Sequence, residues 1–219
     1  GFKLVKKKSE QDIKVEMITS KGKMILILYP KTILHRKNFI DLVKSNFYEG
    51  ILFHRVINGF MAQAGDPKFR GSDVKAKLGQ ESEGSTIPAE FYTEYYHKKG
   101  ALAAARMPDN VNPLKSSSGS QFYFVQGQVY SIDQLQQIEN KINSQKEKEL
   151  FRIFFQDPNN INYLNKLKHC QNLKDQDSIN ILVNEIRPMV IKDQQLFKYS
   201  KTAIADYTTI GGTPLLDAG

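Results

Sequence analysis

The chain has 219 residues, of which 40% are hydrophobic and 25% charged, with a net charge of +8. That is material for one large domain, or one domain plus a smaller module, and it excludes neither an enzyme nor a binding protein. No apolar run approaches the roughly 20 residues of a membrane span, the single Cys170 excludes an internal disulfide, and the scattered basic residues form no stripe of the kind nucleic-acid binding needs.

The first residues are short and basic. Lys6, Lys7 and Lys8 read as part of a solvated tail over residues 1–11. A chain that starts at Gly1 rather than Met is expected to be processed, which hints at export. From Asp12 two strand-like runs follow, IKVEMIT and KMILILY, joined by a turn at Ser20-Lys21-Gly22. Alternation places Ile13, Val15 and Met17 on one face of the first run. A helix is predicted after Pro30, with Phe39, Leu42 and Val43 toward a core. Short apolar runs among polar and Gly-rich loops come next, ILFHRVI, ALAAAR and QFYFVQG. Many short strands and few helices predict a closed antiparallel barrel or a sandwich over 12–130.

Composition then changes. Residues 131–206 hold almost no Gly, are nearly balanced in charge, and carry helical periodicity. Ser131 is placed to cap a helix through Gln134, Leu135, Ile138 and Ile142. Asp157-Pro158 marks a break and a restart. Leu164, Leu167 and Cys170 line a second helix, and Asp177 or Ser178 caps a third with Ile181, Leu182, Ile186 and Met189. Pro188 predicts a kink or an early stop. Residues 207–219, YTTIGGTPLLDAG, return to the earlier Gly/Thr/Pro style. The simplest organisation is one barrel domain, 12–130 plus 207–219, interrupted by a helical insertion at 131–206.

Five segments carry chemistry. Residues 53–67 read FHRVINGFMAQAGDP, 87–91 IPAEF, 99–106 KGALAAAR, 119–125 GSQFYFV, and 210–217 IGGTPLLD. In this order they resemble the cyclophilin-type peptidyl-prolyl cis/trans isomerases, and several motifs in order are far more specific than any one. The resemblance implies a cyclophilin-like antiparallel β-barrel with helices, the inserted helical module being an addition. It implies an isomerase that accelerates X–Pro exchange in peptides and unfolded proteins, with no cofactor and no metal. Arg55 matches the arginine that donates toward the prolyl nitrogen, and Gln63 the amide that orients it. Phe60, Met61, Tyr123 and Leu216 match the walls of the proline pocket, and Ala105 and Gln121 the groove that pairs with substrate backbone. His54 lies in the signature and is counted with the substrate-binding residues, but as a structural side chain and not an acid or base, because the reaction transfers no obligatory proton. Phe122 and Tyr123 point to opposite faces of one strand; the family alignment gives the pocket to Tyr123.

The chain departs from the family pattern in places. Ala64 stands where a glycine is usual, a tyrosine at 123 where phenylalanine is common, and Leu215 where Trp or His often stands. The family's last strands are not matched, so a fragment or clipped chain is expected, and an open barrel edge would favour self-association. The rival reading is a non-catalytic cyclophilin-like binding module or chaperone for proline-containing clients. A third is a structural subunit completed by a partner. The insertion reads either as an extension of the surface that meets unfolded polypeptide or as a decoration; a chaperone assay after deletion of 131–206 separates the two. The motif style reads as bacterial, with cell envelope or periplasm favoured over cytoplasm. His35, His54, His97 and His169 show no metal-ligand spacing.

Overall fold

A computed structural model describes residues 1–5, 13–71, 86–192, 194 and 196–218. The lysine run at 6–8 lies outside the described residues. The chain divides into two compact units, 1–130 with 201–217, and 131–200.

The first unit is built on two antiparallel sheets. β1 (Phe2–Val5), β2 (Ile13–Thr19) and β3 (Gly22–Leu28) form one, in the order β1-β2-β3. Phe2–Val5 is therefore a strand and not part of a tail: FKLV alternates, Phe2 and Leu4 pack on the core, and Phe2 pairs with Met17. The β2–β3 turn falls where expected, with Thr19 opposite Gly22. α1 (Ile33–Lys44) follows and buries Phe39 and Val43. The second sheet has the order β4-β5-β7-β6, made of β4 (Arg55–Ile57), β5 (Met61–Ala64), β6 (Leu102–Arg106) and β7 (Ser117–Val125). The combination of antiparallel sheets with helices is as the sequence reads, and within the first unit the strands outweigh the helices. The closed barrel that the sequence predicts is not seen as one sheet: among the described residues no ladder joins the two sheets.

One core unites the two sheets. Val15, Met17, Leu26 and Leu28 from the first meet Ala64 and Phe122 from the second, with Phe39, Val43 and Tyr48 between. The buried Tyr48 hydroxyl donates to the Ser120 carbonyl at 3.0 Å, and burial pushes its pKa well above the usual phenol range. Gly65, just past β5, is required by close approach. Its φ is +94°, and a Cβ there would lie 2.3 Å from the Ser120 carbonyl oxygen. Gly65→Ala is expected to cost about 1–3 kcal/mol from backbone strain alone, more with the clash. A denaturant midpoint equal to that of the parent chain would contradict this.

α5 (Lys201–Thr209) belongs to this first unit, so the helical insertion read as 131–206 closes at 200. The reason is burial: Ala203 and Tyr207 lie in the interior, at 2% and 0% exposure. The chain leaves and re-enters through one clamp. Gln128 and Gly212 exchange backbone hydrogen bonds of 3.1 and 3.0 Å, and the Tyr130 N–H donates to the Tyr207 carbonyl.

The second unit is helical. α2 (Ile132–Gln156) opens on a capping box in which Ser131 and Gln134 satisfy each other's backbone N–H groups. Asp157-Pro158 ends it in a single 3-10 turn before α3 (Ile161–Asn172). α4 (Gln176–Val190) is capped by Asp175, not by Asp177 or Ser178, since the Asp175 carboxylate accepts from the Ser178 N–H at 3.1 Å. Its buried stripe is Leu182, Ile186 and Val190, one residue every turn. Ile181 and Met189, expected inside, are exposed, because they flank that stripe. Pro188 does not stop the helix at once; α4 ends two residues later. No described helix is long and apolar enough to cross a membrane.

Candidate functional site

The sequence FHRVINGFMAQAGDP folds into a hairpin. Its tip, Asn58 to Phe60, turns through Gly59 at φ +70°, and is held from just past β7 by the backbone N–H groups of Gln126 and Gly127 on the Phe60 carbonyl, at 2.9 and 3.0 Å. Antiparallel register then sets residues opposite one another. Arg55 faces Gln63, Gln63 faces Tyr123, and Tyr123 faces Ala103. Directly opposed residues share a face, so Arg55, Gln63 and Tyr123 form a row across three strands. Met61 lies one step along the same face, opposite Ile57 and Val125. Phe122 turns the other way, into the core.

The polar groups on this face are held in order. Gln63 Nε2 donates to Gln121 Oε1 at 2.9 Å, and Gln121 Nε2 reaches toward Asp66 Oδ2 at 3.5 Å. Asp66 is fully buried and also caps the 3-10 turn at Pro67–Phe69. This order leaves the Gln63 side-chain oxygen as the acceptor offered to Arg55 or to a substrate. Arg55 is exposed, and among the described residues its guanidinium makes no ion pair or hydrogen bond. It is not a surface arginine tied into a salt bridge there.

The remaining sequence-predicted residues are placed as follows. Phe60 is half-buried at the hairpin tip and Met61 is buried in β5. Ala105 sits at a bulge in β6, between Ala104 and Arg106, where the register with β7 shifts. Leu216 is half-buried in the turn Pro214–Ala218, and its N–H donates to the Thr213 carbonyl at 3.0 Å. His54 points away from the row: its ring stacks on Phe69, 5.0 Å between centroids, and both ring nitrogens are buried with no partner among the described residues.

Burial lowers the His54 pKa from its ordinary 6.5; Arg55 lowers it further and Asp66 partly opposes. The unfolded chain therefore binds the proton at a higher pH than the folded chain does. Stability from the neutral ring is complete above about 6.5 and is lost as pH falls through the lower folded value. His54→Phe is expected to flatten this part of the stability profile. A denaturation series between pH 7 and 5 with parallel curves for both proteins would contradict it.

Two clusters were not legible in the sequence. His97 bridges Asp217 and Tyr123. His35 bridges Glu90 and Ser117, at 2.6 and 2.9 Å. The second joins the start of α1 to the segment before β6 and to β7. Burial works against the charge on Glu90, yet hydrogen bonds from the backbone N–H groups of His35 and Leu34 and from the His35 ring hold its pKa below the usual carboxylate range. Each partner is far away in the chain, so spacing carries no signal. Among the described residues no three His, Cys, Asp or Glu side chains could hold a metal ion.

A family model described as cyclophilin type peptidyl-prolyl cis-trans isomerase/CLD matches residues 14–149. A putative peptidyl-prolyl cis-trans isomerase of Staphylococcus epidermidis is 37% identical over 139 residues, covering 62% of this chain and 64% of that protein. A putative bifunctional phosphatase/peptidyl-prolyl cis-trans isomerase of Streptococcus pyogenes is 40% identical over 117 residues, 52% of this chain and 22% of that protein. A crystal structure of a cyclophilin type isomerase from Cryptosporidium parvum aligns at a TM-score of 0.44 with 29% identity, covering 52% of this chain and 66% of that one. The chain thus spans less than two thirds of the length of these relatives.

Proposed function

This chain belongs to the cyclophilin-type peptidyl-prolyl cis-trans isomerase family, and from that premise we propose that it accelerates X–Pro isomerisation in peptides and unfolded proteins. An X–Pro bond has cis and trans forms of similar energy, separated by a barrier of roughly 18–20 kcal/mol that is loss of amide resonance. No bond breaks and no proton need move. The protein must hold the proline ring, keep water out and favour the twisted amide over the planar one.

The row Arg55–Gln63–Tyr123 carries this reading, because it sets a donor, an amide and an aromatic ring on one sheet face. As the amide twists, the prolyl nitrogen regains a lone pair. The Arg55 guanidinium, always charged, donates to it. Gln63, oriented through Gln121, offers its free side-chain oxygen to the arginine and to the substrate backbone once substrate is bound. Phe60, Met61, Tyr123 and Leu216 take the ring as apolar walls. Gln121 and the bulged Ala105 pair with substrate backbone. Substrates are proline-containing segments of peptides and unfolded proteins.

The test is exchange of a proline tetrapeptide, read by NMR line-broadening. Exchange above the uncatalysed rate is expected. Binding of the peptide with no acceleration would replace the isomerase by a binding module.

A further inference from the structure

The Arg–Gln–aromatic row does not explain why a tyrosine stands at position 123. Its hydroxyl lies 3.0 Å from His97 Nε2, with the two ring planes within 5° of parallel. The other face of the imidazole settles the direction of that bond. His97 Nδ1 is 2.8 Å from Asp217 Oδ1, and the His97 backbone N–H donates to the same oxygen at 2.9 Å. A carboxylate only accepts, so Nδ1 carries the proton, and in the neutral imidazole Nε2 then presents a lone pair. In that tautomer Tyr123 donates to His97. Burial pushes the Tyr123 phenol up to about 12, so it keeps its proton at neutral pH. The second carboxylate oxygen of Asp217 accepts from Tyr207, 2.5 Å away, whose side chain is fully buried.

His97 also holds the returning chain. Its carbonyl accepts from the Thr213 N–H at 2.9 Å, and the Thr213 carbonyl in turn accepts from Leu216. Tyr123 and Leu216, two walls of the pocket proposed above, are thus tied to one residue: the first through the imidazole, the second through the backbone.

We propose that His97, oriented by Asp217, is a positioning residue for substrate: it fixes the tilt of the Tyr123 ring against the substrate's proline ring and locks that ring to the 213–217 turn. This rests on the isomerase reading for what the pocket holds, but not for the hydrogen bonds themselves. A phenyl ring at 123 would be held by packing alone. A phenol anchored at its far end loses a rotational freedom before substrate arrives, and preorganisation of this kind appears as affinity. His97 touches no reacting atom, so its removal acts on KM and leaves kcat nearly unchanged.

The experiment uses the full chain and four variants: Tyr123→Phe, His97→Leu, His97→Gln and the double Tyr123→Phe/His97→Leu. Binding of a proline tetrapeptide is measured by NMR titration, exchange by line-broadening, and the imidazole tautomer by 15N spectroscopy. His97→Leu is expected to weaken peptide binding about fivefold, the size of one hydrogen bond. His97→Gln, whose amide oxygen can replace Nε2 as acceptor, is expected to recover most of that loss. In the Tyr123→Phe background the His97→Leu effect should fall below about twofold, because the bond is already gone. Equal losses in both backgrounds overturn the proposal, and so does an imidazole protonated at Nε2. If His97→Leu does not fold, His97→Gln paired with Tyr123→Phe reads the same cycle. A parent chain that binds peptide without accelerating exchange sinks the isomerase reading and leaves positioning to be judged on affinity. A parent chain that binds no peptide overturns both readings.

Discussion

Replacing Arg55 by Ala is expected to lower the catalysed exchange of a proline tetrapeptide by about 100-fold, the loss typical of one donor aimed at transition-state charge. Arg55 is exposed on β4, opposite Gln63, with no ion pair among the described residues. Its removal from an exposed position leaves no buried partner charge, so the melting temperature should move by little. That separation of rate from stability is the diagnostic feature. Arg55→Lys should not restore the rate, because a compact ammonium lacks the planar fork of donors that reaches nitrogen and glutamine together. NMR line-broadening on the parent chain and both variants checks this. Unchanged exchange in Arg55→Ala would remove the arginine from the mechanism.

The largest effect on stability is expected one residue from the site. Phe122→Ala should cost about 3–5 kcal/mol, a large part of the roughly 5–15 kcal/mol that holds a domain folded. Phe122 is 4% exposed. It packs edge-on against Phe2, Phe39, Tyr48 and Phe124, with centroids 5.4 to 6.1 Å apart. These rings come from β1, α1, the loop after it, and β7 itself, so a void at 122 loosens both sheets. Tyr123→Ala, on the opposite face, should cost less stability and more peptide affinity. Guanidinium unfolding curves of the two variants give the comparison. A smaller loss for Phe122→Ala than for Tyr123→Ala would reverse the assignment of faces.

Much of the candidate site's arrangement was legible because it is local. The run FHRVINGFMAQAGDP contains both strands of one hairpin, so Arg55, Phe60, Met61 and Gln63 come together through a single turn. The two-residue period of β7 separates Phe122 from Tyr123 without any tertiary information. Ser131 and Gln134 announced the start of α2, because a capping box is built from residues three apart. Asp157-Pro158 ended it for an equally local reason.

Other features were decided only in three dimensions. Phe2–Val5 looked like part of a basic tail, since four residues carry too little pattern to compete with the lysines that follow. The strand exists because β2 offers a free edge and the core accepts Phe2. The insertion was read to 206 because α5 is helical like the residues before it; Ala203 and Tyr207 place it in the first unit, and burial has no local signature when the partner lies elsewhere in the chain. His97 is the sharpest case. It was one of four scattered histidines, 26 residues from Tyr123 and 120 from Asp217. Sequence by itself determined the family resemblance, the strands β2 and β3 and the hairpin that carries the arginine, because each is written in short-range pattern. The tertiary structure decided which distant groups share a hydrogen bond, because a 2.8–3.0 Å contact depends on how the chain returns and leaves no period in the sequence.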